Sequence, residues 1–155
     1  MKTLALAGFC AAFLVAGCES MSTRMHERFT PVPPHTRDFA AAPKVVYEAA
    51  QQALKNVGLQ LGRKSLAHGS IDGYAAIRTG DSTRDARQTT IQIRLIETDA
   101  GETRVELLVS DQTEGDFPGG VTKRDLREHS LYELYYTALQ QVLVERGALK
   151  APEKS

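Results

Sequence analysis

The 155-residue sequence has no tryptophan, and its two cysteines, Cys10 and Cys18, both fall near the start. A chain so poor in thiols cannot be stapled by disulfides along its length, so a domain built from it must rest on an apolar core. Its four histidines, His26, His35, His68 and His129, are too scattered for a zinc site. His129 and Glu133 share a helix face, but the zinc-protease pattern needs two histidines at that spacing with glutamate beside the first. No Gly-x-x-x-x-Gly-Lys-Ser/Thr phosphate loop occurs, and Ser65, Ser70, Ser82 and Ser110 lack the glycines of a nucleophile elbow. The acidic stretch Asp111 to Gly120 lacks the alternating oxygen ligands of a calcium loop. Charge of one sign is also missing: 19 Lys and Arg face 19 Asp and Glu. That balance excludes the clustered basic excess of a nucleic-acid binder. Beyond residue 16 no long apolar run remains, so no spanning helix is expected there. The expectation is a chain that is not an enzyme, with no catalytic residues, no metal, no cofactor and no nucleic-acid partner.

What is present begins at the first residue. Met1-Lys2-Thr3 is a short basic start, Leu4 to Ala16 is almost uninterruptedly apolar, and Val15-Ala16-Gly17-Cys18 closes the run. These are the parts of a secretory signal, and the run is shorter than the ~20 residues of a spanning helix. The closing tetrapeptide resembles the lipobox of bacterial lipoproteins. The resemblance implies cleavage between Gly17 and Cys18, a diacylglycerol on the Cys18 sulfur, and a further acyl chain, such as palmitate, on the new amine. Cys10 would leave with the signal, so Cys18 keeps no partner within the chain. Several acyl chains exceed the two signals needed for stable anchoring. Glu19 follows the cysteine. Under the sorting rule that comes with the lipobox, the absence of aspartate there implies the outer membrane, facing the periplasm.

Residues 1–17 are therefore expected to be a signal peptide, and residues 18–42 a lipidated cysteine with a disordered tether. The tether contains Pro31-Val32-Pro33-Pro34 and no sustained period. A flexible chain of that length places a domain about 25–30 Å from its lipid. The domain itself is expected over residues 43–147, followed by a flexible tail at 148–155. Pro43 suits a first helical turn, and Val46, Ala49, Ala50, Ala53, Leu54 and Val57 recur at helical spacing up to Gly58. Four strands are expected at residues 59–66, 71–78, 90–98 and 103–110, clearest where Ile91, Ile93 and Leu95 alternate with Gln92 and Arg94. Their short links demand antiparallel pairing. A loop is expected over residues 111–120. Thr122-Lys123-Arg124-Asp125 then reads as a capping-box start for a helix reaching Arg146 and closed by Gly147. The predicted fold class is α+β: helix, four-stranded antiparallel meander, helix, with both helices packed on one face.

The second helix has an apolar arc of about 200°, twice what a surface helix needs. Its core stripe is expected at Leu131, Leu134, Tyr135, Ala138 and Val142. Tyr132, Tyr136, Leu139 and Leu143 widen the arc and are the candidate partner face, unless they serve the domain's own packing. Arg84, Arg87 and Arg94 are candidates for meeting an anionic surface, against a self-neutralised hairpin loop. Below the tether, the Val46-to-Ala50 helix ending at Asn56-Val57-Gly58, the strand quartet and the closing helix resemble small periplasmic lipoprotein domains of unknown function. The architecture also has a more distant likeness to the helix-grip accessory lipoproteins of outer-membrane assembly machines. The functional expectation is a membrane-anchored, non-enzymatic module for protein interaction or envelope assembly, binding an envelope protein or itself. The alternative is a small ligand or cell-wall fragment bound in a cleft between helices and sheet.

Overall fold

The computed structural model describes residues 31–78, 86–99, 101–114 and 120–150. The expected signal, Cys18, the tether up to residue 30 and the tail from residue 151 lie outside the described residues, as does Arg84.

Alternation builds the sheet. Ile91, Ile93 and Leu95 on one strand and Val105, Leu107 and Val109 on the next are buried, while Gln92, Arg94 and Arg104 between them face out. The elements in chain order are β1 (His35–Phe39), α1 (Pro43–Asn56), β2 (Gln60–Ser65), β3 (Ser70–Tyr74), β4 (Arg87–Glu97), β5 (Thr103–Glu114), β6 (Val121–Leu126) and α2 (Ser130–Glu145). Strands β2 to β5 pair in sequence, all antiparallel. On the remaining side of β5 two short strands lie end to end. β1 pairs with Thr103–Leu107 and β6 with Val109–Glu114.

The expected four-stranded meander is thus corrected to a six-stranded sheet. β1 lies inside the stretch expected to be tether. It shows a period of two, but Phe39 is its only buried apolar residue, so the alternation carried little hydrophobic contrast. β6 occupies the span expected to be the first turns of the second helix. The Thr122 capping box is not used; the N-cap is His129, whose Nδ1 accepts a hydrogen bond from the Leu131 N–H at 3.1 Å. β5 runs on to Glu114 rather than stopping at Ser110. Edge N–H and C=O groups need partners, and β1 and β6 supply them along nearly the whole length of β5.

Both helices cover the apolar face, α1 over β2 and β4, α2 over β5, and each packs on the other. Ala49, Ala50 and Ala53 of α1 are fully buried, and their small side chains allow close approach. Gly73 of β3 marks the closest point. A Cβ there would stand 2.8 Å from Ile91 Cγ2 and 2.9 Å from Leu54 Cδ2. Gly58 closes α1 at φ +79°, with its N–H bonded to the Lys55 carbonyl and the Leu59 N–H to that of Leu54. The Arg104 guanidinium grips Asp38 through two bonds of 2.8 and 2.9 Å, holding β1 to β5. The same bond holds the Asp38 carboxyl below the usual carboxylate range.

Candidate functional site

The candidate partner face lies inside the domain. Tyr132 and Tyr136 are each 2% exposed, and Leu139 and Leu143 are fully buried. The expectation that they form a surface for a partner is therefore corrected: the wide apolar arc of α2 serves internal contacts with the sheet on one flank and α1 on the other. Leu134, expected in the core stripe, is 51% exposed instead.

The tyrosines do structural work at the joint between β1 and β6. The Tyr132 hydroxyl accepts from the Val109 N–H at 3.1 Å and donates to the Leu126 carbonyl at 2.6 Å. It bridges β5 and β6 at their last paired position, Val109 with Leu126. The His35 ring stacks on Tyr132 at 3.7 Å between centroids and donates from Nε2 to the Arg127 carbonyl at 2.8 Å. A carbonyl only accepts, so Nε2 carries the proton. The Tyr136 hydroxyl directs its single proton at the carbonyls of His35 and Val105, 2.8 and 2.9 Å away. Arg37 lies over the Tyr136 ring at 4.6 Å and reaches Glu133 at 3.3 Å. Burial raises all three tyrosine pKa values, Tyr135 most strongly. The Tyr135 hydroxyl has no hydrogen-bond partner among the described residues.

Between helices and sheet, where the alternative reading expects a cleft, core side chains of both layers such as Leu54, Ile91, Val105 and Leu139 pack together. A concavity of about 360 Å³ lies on the opposite face, which no described helix covers. The outward positions of β3, β4, β5 and β6 line it, with the β2 bulge between Leu61 and Lys64 as one wall. Tyr74, Gln92 and Gln112 face it, Arg63 stands at the β2 side, and Lys123 at the β6 side. Arg63 approaches Asp72 at 3.5 Å with its side chain almost wholly exposed. Lys123 reaches the Gln92 Oε1 at 3.3 Å and Asp125 at 3.7 Å. Gly62 keeps this wall low, since a Cβ would meet the Asp72 carbonyl at 3.2 Å and Tyr74 Cδ1 at 3.4 Å.

The two described candidate arginines, Arg87 and Arg94, do not meet. Arg94 is outward on β4 opposite Glu106, whereas Arg87 sits at the far end of β4, 3.9 Å from Asp111. No group of three His, Cys, Asp or Glu side chains able to hold a metal occurs among the described residues. No helix among them is long and apolar enough to cross a membrane. The lining of the open face went unnoticed in the sequence, although its signal was there: these are the polar partners in the strand alternation.

Fold and site together define a two-layer α+β domain with one hydrogen-bonding sheet face that no described helix covers. No family model matches the chain, and no curated protein matches it. Among solved structures it is similar to the adenylate sensor from AMP-activated protein kinase in complex with 5-aminoimidazole-4-carboxamide 1-β-D-ribofuranotide. That likeness has a TM-score of 0.40 and 15% identity, covering 67% of this chain and 94% of that one. It is also similar to a DUF4468 family protein from Bacteroides ovatus, with a TM-score of 0.34 and 14% identity, covering 78% of this chain and 88% of that one. Both superpose too loosely to carry an argument about function.

Proposed function

We propose that this protein is a non-enzymatic, lipid-anchored module of the bacterial envelope, facing the periplasm at the outer membrane, and that it binds through the open face of its sheet. The observation that carries the reading is the asymmetry of the sheet. One face is covered by two helices; the other presents a polar trough that no described helix covers. The lipobox resemblance at Val15-Ala16-Gly17-Cys18 supports the anchor. The partner is an envelope component reached from the anchor, for protein interaction or envelope assembly.

Two experiments test the two halves. A fatty-acid analogue should label the wild type and not Cys18→Ser; equal labelling would sink the anchor. A photo-crosslinking residue placed at Gln92 should capture a partner in living cells, and the same residue at Gln141 on the helix side should not. Capture at Gln141 alone would move the recognition surface to the helices and overturn the assignment.

A further inference from the structure

Resting on that reading of the open face, we infer that its ligand is a saccharide chain bearing hydroxyl and acetamido groups, laid across the strands of the trough. The chemistry of the lining argues for it. The charges balance in place, Arg63 with Asp72 and Lys123 with Asp125. The trough therefore offers no bare charge for a highly charged ligand. Its apolar part is small, Ile91 and the glycines between polar side chains: the amides of Gln88, Gln92 and Gln112, the Thr90 hydroxyl and one aromatic ring, Tyr74. Side-chain amides donate and accept at once, which matches a sugar's vicinal hydroxyls and an acetamido group. The ring of Tyr74 gives a face for a sugar's C–H surface beside a polar tip.

Spacing points the same way. Outward side chains recur from strand to strand at the same level, Tyr74 beside Thr90 and Gln88 beside Gln112 beside Lys123. Neighbouring strands are about 4.8 Å apart, close to the ~5 Å repeat of an extended 1,4-linked pyranose chain, so successive rings would meet successive strands. The volume of about 360 Å³ is at the small end of ligand sites and suits a short stretch of such a chain, open at both ends. Arg63 and Lys123 flank the path, and either is free to swing from its surface ion pair to a carboxylate on the sugar, because exposed pairs of this kind hold weakly.

The test uses the full mature, lipidated chain in detergent micelles, titrated by calorimetry with two probes. One is chitotetraose; the other is the peptide-free tetrasaccharide of alternating N-acetylglucosamine and N-acetylmuramic acid. Binding with a Kd of about 1 mM or tighter is expected for at least one. Tyr74→Ala and Gln92→Ala should each weaken it by about tenfold, the worth of a hydrogen bond or a lost stacking face, with Gln141→Ala unchanged and all variants melting cooperatively. Tighter binding of the muramic probe, lost in Arg63→Gln with Lys123→Gln, would add the carboxylate contact. If neither probe binds while crosslinking at Gln92 captures a protein, the saccharide inference falls and the recognition face stands. If both are negative, both fall. Saccharide binding indifferent to Tyr74→Ala and Gln92→Ala would also overturn the inference, because the sugar would then sit elsewhere.

Discussion

Replacing each tyrosine of α2 by phenylalanine removes one oxygen atom in three nearly equivalent burials, and the structure assigns the three a different sign or size. In Tyr132→Phe the Val109 N–H loses its acceptor and the Leu126 carbonyl its donor, both at the joint between β5 and β6. A buried backbone group left unpaired costs about 1–3 kcal/mol. Because β6 can settle inward to recover part of this, the net loss should be about 2–3 kcal/mol. Tyr136→Phe withdraws one proton from two carbonyls that its hydroxyl served together, so about 1–2 kcal/mol is expected. Tyr135 is fully buried and its hydroxyl has no partner among the described residues. Its removal forfeits no bond and ends an unfavourable burial, so Tyr135→Phe should be neutral or stabilising by about 1 kcal/mol. Urea unfolding followed by far-ultraviolet circular dichroism reads all three. With a slope of about 1.5 kcal/mol per molar, Tyr132→Phe should lower the midpoint by about 1–2 M without changing the slope. A loss in Tyr135→Phe as large as that in Tyr132→Phe would refute the reasoning, since the hydroxyl would have to be bonded. A silent Tyr132→Phe would equally show that the bridge between β5 and β6 holds nothing.

The edge strand β1 gives a second prediction: a chain beginning at Pro43 should lose about 4 kcal/mol, or its cooperative transition, relative to one beginning at residue 31. The shorter chain loses buried Phe39 and the cover of Thr103–Leu107, and equal melting of the two chains would show β1 to be dispensable. Gly69→Ala should cost more than about 2 kcal/mol, because at φ +57° its Cβ would stand 2.5 Å from the Leu95 carbonyl oxygen. Gly58→Ala, at φ +79° with nothing within 4 Å, should cost only about 1 kcal/mol, and thermal melts that rank the two the other way would contradict the packing. Stability should also fall in alkali. Tyr132, Tyr135 and Tyr136 have folded pKa values raised above the unfolded value of about 10, so their contribution is full below that pH and is lost as pH rises through the folded values. Tyrosinate absorbance appearing together with unfolding is the expected signature, and ionisation of all tyrosines at pH 10 with the fold intact would exclude it.

Much of the sheet and nearly all of α1 were legible because the physics there is local. Ile91, Ile93 and Leu95 alternate with polar residues, and Val46, Ala49, Ala50, Ala53 and Leu54 recur at helical spacing; in each case one face is apolar enough to dictate what is buried. β1 and β6 lacked that contrast. Thr36 and Asp38 alternate with His35 and Arg37, and β6 reads Val-Thr-Lys-Arg-Asp-Leu, so neither presents a hydrophobic face. Their strand character comes from pairing with the long β5, a demand placed by another part of the chain.

The same division runs through the functional surface. By itself, the sequence determined the apolar run ending at Val15-Ala16-Gly17-Cys18, the alternation of the central strands, and an apolar arc on α2 too wide for an ordinary surface helix. Only the tertiary structure decided where that arc goes. Tyr132 and Tyr136 face inward because their hydroxyls serve backbone groups at the joint of β1, β5 and β6, groups contributed by segments 6 to 101 residues away along the chain. An amphipathic pattern records that a side chain can be buried; which surface buries it depends on how distant strands meet. The outward residues Tyr74, Gln92 and Gln112 form a surface for the same reason, because sheet pairing sets Tyr74 beside Thr90, Gln92 beside Asp72 and Gln112 beside Gln88 on one face of β3, β4 and β5.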